Sequence, residues 1–382
     1  MKPAMLDSFN EVRERNIISI KEAKEQGVKV IGKYCTYLPR ELVLAAGAIP
    51  VSLCSTREEP IAAAEEVLPR NLCPLIKSSY GYAATDKCPY FHFCDLVMAE
   101  TTCDGKKKMY EIMQAIKPVH VMQLPQTQQG EAALTMWHEE VLKAKRVIED
   151  LCGVEVTTDA LRQAIRLVNE ENRALQALFD LNRAKPALIS GMDLVKISSQ
   201  ISFHADRWQA VAMLDSLVSE IRDLAAQGYR VGEESSPRVL VTGTPVGIGS
   251  EKVVALAEQC GAVVVAMELC NAYKPVFLHI DEEDRRDPLL LLAEKYLHIP
   301  CSVMTPNAGR MDLLESLICD FRIDAVIDLT WQACHTYNVE SFLVEELVKD
   351  KLGLPFLHVE TDYSSADLEG LRVRIEALLE MV

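Results

Sequence analysis

The sequence predicts an α/β protein with two Rossmann-like domains, each carrying a parallel sheet of about four strands, joined by a helical region. Three observations carry this. Short apolar runs alternate with helix-like stretches in the first third of the chain. The same alternation starts again in the last third, and the stretch between them has helical composition with no strand-like run.

Residues Leu6 to Gln26 have helical periodicity and stop at Gly27, and Val28 to Gly32 then reads as a strand. Pro39 stands where a helix can begin, and Glu41 to Ala46 continue it to Gly47. Ala48 to Leu53, Asp95 to Ala99 and Val119 to Met122 read as the next three strands. This first domain is placed at residues 1–130. Residues 131–232 form the helical connecting region, rich in Leu, Ala, Glu and Arg, with Pro186 its only proline up to Gln227. Gly232 to Pro237 is a linker by composition. The second domain, 237–382, has strands at Arg238–Val241, Ala262–Ala266, Asp324–Asp328 and Phe356–Val359, with a helix at Ser250–Glu258. The two domains echo each other: the run Leu44 to Val51 precedes Cys54, and Cys260 to Val265 precedes Cys270, which suggests a distant internal repeat.

The 382 residues carry a formal net charge of −16, which argues against a nucleic-acid partner and against an anionic membrane surface. No apolar run approaches the ~20 residues of a membrane helix, and no secretory h-region is visible, so a cytoplasmic location is expected. In a reducing compartment 12 cysteines point to metal or redox chemistry rather than to disulfides.

The cysteines follow the predicted strands. Cys35 comes after the first, Cys54 after the second and Cys103 after the third; Cys270 and Cys334 follow the second and third strands of the other domain. Cys73 and Cys301 lie in the connectors between second and third strands. Open parallel sheets bind ligands at the carboxyl ends of their strands, so these thiols belong to the functional edge of each sheet. No Cys-x-x-Cys occurs, which disfavours a zinc ribbon, and the compact ferredoxin run is absent too. Widely spaced thiols suit an iron–sulfur cluster bound across a domain interface. Cys54, Cys88 and Cys94 are second choices; Cys152, Cys260 and Cys319 sit in helical patterns and are expected to be buried structural thiols.

Several stretches carry a resemblance: Tyr34 to Leu42 with Ala45-Ala46-Gly47, Asn71 to Gly81, and Thr101 to Glu111. Glu268-Leu269-Cys270, Pro300 to Asn307, Gln332 to Tyr337 and Glu360 to Tyr363 complete the set. By these motifs the chain resembles the 2-hydroxyacyl-CoA dehydratase and benzoyl-CoA reductase superfamily, and within it the double-cubane cluster proteins. The resemblance implies Cys35, Cys73 and Cys103 as ligands from the first domain and Cys270, Cys301 and Cys334 from the second. Three thiolates per half then hold two linked cubanes of the [8Fe–9S] kind; the alternative is a single [4Fe–4S] unit. The internal repeat, by contrast, aligns Cys54 with Cys270.

The resemblance also implies a separate ATP-dependent iron–sulfur activator as electron donor, and a homodimer. The leading reading is a reductase of small molecules such as acetylene, azide or hydrazine. The alternative is a 2-hydroxyacyl-CoA dehydratase subunit that removes water through a ketyl radical, and a third reading is a non-catalytic electron-transfer protein. Candidate proton-handling residues are His335, Tyr337 and Glu340, directly after Cys334; Tyr37, Ser78 and Glu41 have weaker cases. Thr242 to Ser250 is a glycine-rich turn that lacks the Walker ending and the third dinucleotide glycine, so it is read as lining the pocket with backbone N–H groups for cluster sulfurs. Lys106-Lys107-Lys108 is either a solvated helix face, compensation for an anionic cluster, or a docking patch for an acidic reductase.

Overall fold

The computed structural model describes residues 2–382. The first part runs α1 (Met5–Glu25), β1 (Val30–Lys33), α2 (Arg40–Ala45), β2 (Ile49–Ser52), α3 (Ile61–Ala64), α4 (Pro74–Thr85), α5 (Pro89–Phe93), β3 (Leu96–Glu100), α6 (Asp104–Met113) and β4 (Val119–Met122). The middle is helical: α7 (Glu131–Cys152), α8 (Thr158–Asp180), α9 (Gly191–Ser202) and α10 (Arg207–Ala226). The last part runs β5 (Arg238–Gly243), α11 (Lys252–Gln259), β6 (Val263–Glu268), α12 (Tyr273–Val276), α13 (Pro288–Leu297), α14 (Ala308–Asp320), β7 (Ala325–Trp331), α15 (His335–Glu345), β8 (Phe356–Thr361) and α16 (Leu368–Leu379).

Each sheet has four parallel strands, in the orders β2-β1-β3-β4 and β6-β5-β7-β8. The orders are the same once the strands are renumbered, so β1 corresponds to β5, β2 to β6, β3 to β7 and β4 to β8. Strands β3, β5, β6 and β7 are buried along their whole length, as parallel strands covered by helices on both faces must be. The expected strands all form, within two residues at their starts.

Local signals set the helix ends. Buried positions Leu6, Phe9, Val12, Asn16 and Ile20 give α1 its three-and-four spacing, and Gly27 at φ +88 ends it. Pro74, Pro89 and Pro288 open their helices at the first turn, where a missing N–H costs nothing.

The helical middle is a brace between the sheets. Helix α8 packs on α2 of the first part and α12 of the last; α7 packs on β4 and α13; α9 packs on β6 and α11. Both apolar cores run across these parts. One joins Phe9 and Val51 with Leu194, Val241 and Leu329, and the other joins Ile31 and Trp137 with Leu292 and Met304. No helix among the described residues is long and apolar enough to cross a membrane.

Candidate functional site: a cavity ringed by thiols

A cavity of about 990 Å³ lies between the two sheets, and eight of the cysteines line it: Cys35, Cys54, Cys73, Cys88, Cys103, Cys270, Cys301 and Cys334. All six residues expected as ligands are among them. Cys35, Cys54, Cys103, Cys270 and Cys334 lie on loops that leave the carboxyl ends of strands, and Cys73, Cys88 and Cys301 come from the connectors between helices.

Besides Cys88, three of the expected ligands sit in the residue that caps a helix N-terminus: Cys73 before α4, Cys103 before α6 and Cys334 before α15. Helix N-termini favour thiolate, but burial outweighs this. It pushes Cys73 up to about 11 and Cys334 up to about 12, and it raises Cys103 as well. Without a metal these thiols therefore keep their protons, and a bound metal would take the proton's place. Cys334 is raised further by the nearness of Cys73 and Cys103. Cys334 of the second sheet thus lies within electrostatic reach of thiols of the first.

The other thiols form two close pairs. The hydrogen bond between Cys35 and Cys54 raises Cys35, with burial adding to it, and lowers Cys54 to about 6 against burial. Lys106 favours the thiolate, with Nζ 2.7 Å from Cys35 Sγ and 3.8 Å from Cys54 Sγ. Cys35 has φ +54, a left-handed conformation that a side chain rarely adopts, and Ala333, just before Cys334, has φ +60. In the second pair the hydrogen bond with Cys301 lowers Cys270 to about 5 and raises Cys301. The Tyr337 hydroxyl lies 3.7 Å from Cys270 Sγ and accepts from Lys274 Nζ at 2.7 Å. Burial raises Tyr337, so the phenol keeps its proton. Tyr37, buried between the pairs and raised first by burial and then by Cys301, Cys270 and Cys35, donates to Ile299 O at 3.1 Å.

Second choices and bystanders separate cleanly. Cys88 caps α5, accepting from Phe91 N at 3.5 Å. Cys94 lines no part of the cavity; it lies behind β1, where a Cβ on Gly32 would come within 2.7 Å of its sulfur. The expectation that Cys152, Cys260 and Cys319 are buried is corrected: Cys319 is exposed, and Cys152 and Cys260 are only partly covered. Cys152 ends α7, Cys260 follows α11, and Cys319 faces outward from α14, whose inward face is Arg310, Leu313, Leu314, Leu317 and Ile318.

The proton-handling candidates divide as well. His335 is exposed at the cavity wall. Glu340 is tied to Arg310 and accepts from Asn307 Nδ2 at 2.6 Å, so it anchors α15 rather than facing the thiols. Glu41 accepts from Lys295 and Tyr296, at 3.0 and 2.7 Å, and joins α2 to α13. Ser78 bonds Ser55 and Arg57 O.

The glycine-rich turn lines the cavity through Thr244, Pro245, Gly247 and Ile248. Three of its N–H groups are taken up within the protein. Those of Thr244, Gly247 and Gly249 are already bonded, to Leu329 O, Ser250 Oγ and Glu251. A Cβ on Gly247 would come within 2.9 Å of Thr56 Oγ1, so the glycine lets this turn close against the loop after β2.

Two cations stand out beside the thiols. Lys106 turns inward, while Lys107 and Lys108 point outward and pair with Asp104 and Glu111. Lys274 is fully buried, bridging Glu268 at 2.8 Å and Tyr337.

No three His, Cys, Asp or Glu side chains among the described residues converge as a single ion would require. A cubane presents its irons at separate corners, so thiols spread around a roomy cavity fit a cluster.

A family model described as 2-hydroxyglutaryl-CoA dehydratase, D-component, matches residues 35–382. The chain is 43% identical over 380 residues to YjiM of Escherichia coli (strain K12), a protein with a dehydratase-subunit name, covering 100% of this chain and 98% of that one. It is 22% identical over 368 residues to the (R)-phenyllactyl-CoA dehydratase beta subunit of Clostridium sporogenes, with 94% of each covered. A benzoyl-CoA reductase subunit of Thauera aromatica is 21% identical over 276 residues, with 71% of this chain and 68% of that one covered.

Proposed function

Because the chain belongs to the 2-hydroxyglutaryl-CoA dehydratase D-component family, we propose that it is an iron–sulfur reductase. In this reading it takes low-potential electrons from a separate ATP-dependent activator, the kind of partner this family works with, and reduces small molecules of the acetylene, azide or hydrazine type at a double cubane. The observation that carries this reading is the ring of eight thiols, drawn from both sheets, around a single cavity. Six suffice for two cubanes with three thiolates each.

In this reading Cys35, Cys73 and Cys103 hold one cubane and Cys270, Cys301 and Cys334 the other; Cys54, which pairs with Cys35 and follows β2 as Cys270 follows the equivalent β6, is the alternative to Cys35. A cluster of this kind supplies electrons at low potential and an iron able to take an external ligand. The protein's own groups supply the rest. The Tyr337 phenol, held by Lys274, keeps a proton beside Cys270. His335, exposed at the wall, is placed to bring protons in from solvent.

The second reading is a 2-hydroxyacyl-CoA dehydratase subunit, favoured by the names that several relatives carry. It needs a single cubane and a partner subunit. The deciding test is iron and acid-labile sulfide per chain on protein purified without oxygen, followed by acetylene reduction with the activator and ATP. About eight irons with slightly more sulfide, and ethylene formed only when the activator and ATP are present, support the reductase. About four of each, with dehydration of a 2-hydroxyacyl-CoA, moves the chain to the second reading. Little iron overturns both.

A further inference from the structure

Burying an ammonium costs several kcal/mol unless an anion compensates it. Of the three buried lysines, Lys77 pairs with Glu65 and Lys274 with Glu268, each at 2.8 Å. Lys106 is 7% exposed and, among the described residues, pairs with no carboxylate. Its polar contacts are the sulfurs of Cys35 at 2.7 Å and Cys54 at 3.8 Å, with the Tyr34 ring 5.9 Å away. Helix α6 brings it there: Lys106 lies three residues after Cys103, one turn in from the helix start, so the same turn that presents the Cys103 thiol also turns Lys106 into the cavity.

We propose that Lys106 is the counter-charge for the metal-bound sulfurs at the Cys35–Cys54 end of the cavity, and that its positive charge raises the cluster's reduction potential. It is a tuning residue rather than a catalytic one: it touches the sulfurs, and through them it stabilises the added electron. At a few ångströms inside a water-poor cavity a unit charge acts far more strongly than at the surface. A neighbour provides an internal control. Lys108 carries the same charge on the same helix but is 70% exposed and lines no part of the cavity, so screening removes most of its influence.

This inference rests on the cluster reading, and the experiment separates the two. Wild type, Lys106→Met, Lys106→Gln, Lys106→Arg and Lys108→Met are purified without oxygen. Each is assayed for iron per chain and then titrated through its reduction by electron paramagnetic resonance. At the solution potential that half-reduces the wild type, Lys106→Met is expected to show a reduced-to-oxidised ratio about tenfold lower, which is about 59 mV for one electron. Lys106→Arg should recover most of the difference, and Lys108→Met should stay within about twofold of wild type. Full iron in Lys106→Met with an unchanged ratio overturns the inference and leaves the cluster reading standing. If Lys106→Met and Lys106→Gln lose iron while Lys106→Arg keeps it, the need for charge is upheld. Loss in all three marks a packing role and overturns it. Wild-type protein without iron overturns the cluster reading and this inference together.

Discussion

Arg310 has no exposed surface, yet acidic groups from three strands and helices converge on its guanidinium. It contacts Glu268 at 3.3 Å at the end of β6, Glu340 in α15, and Asp328 at 3.9 Å in β7, and it donates to Thr242 Oγ1 at 2.9 Å. The Tyr337 ring lies 4.8 Å from it. The cation makes these burials tolerable, so removing it leaves uncompensated carboxylates in a dry interior. Arg310→Met is expected to destabilise the protein by about 3–5 kcal/mol, read as a shift of the urea midpoint at unchanged slope. A shift under about 1 kcal/mol would mean that the carboxylates take up protons at little cost and that the network is incidental. The residue scale also shows what the sequence could reveal of the site. All six expected ligand cysteines line the cavity; five are legible because each follows a strand or opens a helix, and Cys301 lies in the connector between α13 and α14. Lys274 and Arg310 are not legible, since their partners Tyr337 and Glu340 lie far away along the chain. Cys319 misled because Leu317-Ile318-Cys319 is an apolar run, and only the helix register shows that its third member faces out.

Helix α8 holds a single carboxylate that ties three helices together. Glu171 accepts from Arg40, the first residue of α2, and from Arg207, the first residue of α10, where Arg207 Nε donates to its Oε2 at 2.7 Å. Burial alone would raise Glu171, but the two guanidinium groups outweigh it and hold the carboxyl at about 2. Its folded value is thus depressed below that of the unfolded chain, near ~4.3. The stability it lends is complete above the unfolded value and disappears as pH falls from about 4.3 to 2. A shift of this size is worth on the order of 3 kcal/mol. Glu171→Gln should accordingly be less stable than wild type at pH 7, and the gap should close as denaturant midpoints are taken down toward pH 2. A gap independent of pH would assign the loss to packing instead. At this scale the strands were readable because short apolar runs bounded by glycine or proline leave few alternatives. The turn from Thr242 to Ser250 lines the cavity as expected, but its packing was not legible, because a glycine placed for close approach to Thr56, on a loop far away in sequence, looks the same in one dimension as a glycine placed for a ligand.

The two sheets repeat one topology, and each segment is long enough to hold a core of its own, so independent folding is the default expectation. The packing argues otherwise. Sheet β6-β5-β7-β8 is covered on one face partly by α9, which belongs to the helical middle. At Gly191 a Cβ would approach Val264 Cβ to 2.5 Å and Val254 to 3.1 Å, so this helix lies close against both β6 and α11. Helix α1, at the other end of the chain, packs on α9 and α10 in turn. Helix α13 of the last part closes the opposite core against α7, and Glu41 in α2 is bridged from there by Lys295 and Tyr296. Cutting the chain at the linker would expose the inward faces of Val264, Leu194 and Ile197 together and would leave Lys295 without its carboxylate. The whole chain is therefore expected to unfold in a single transition, with far-UV circular dichroism superimposing on the fluorescence of Trp137 and Trp331, both fully buried and one in each apolar core. Residues 237–382 expressed alone should show no cooperative transition. Two resolved steps in the whole chain, or a sharp transition in the fragment, would make the halves autonomous and the shared cavity a contact between finished domains. A single step would mean that the cavity's walls exist only when the entire chain is folded, so that the thiols of both sheets come into position together.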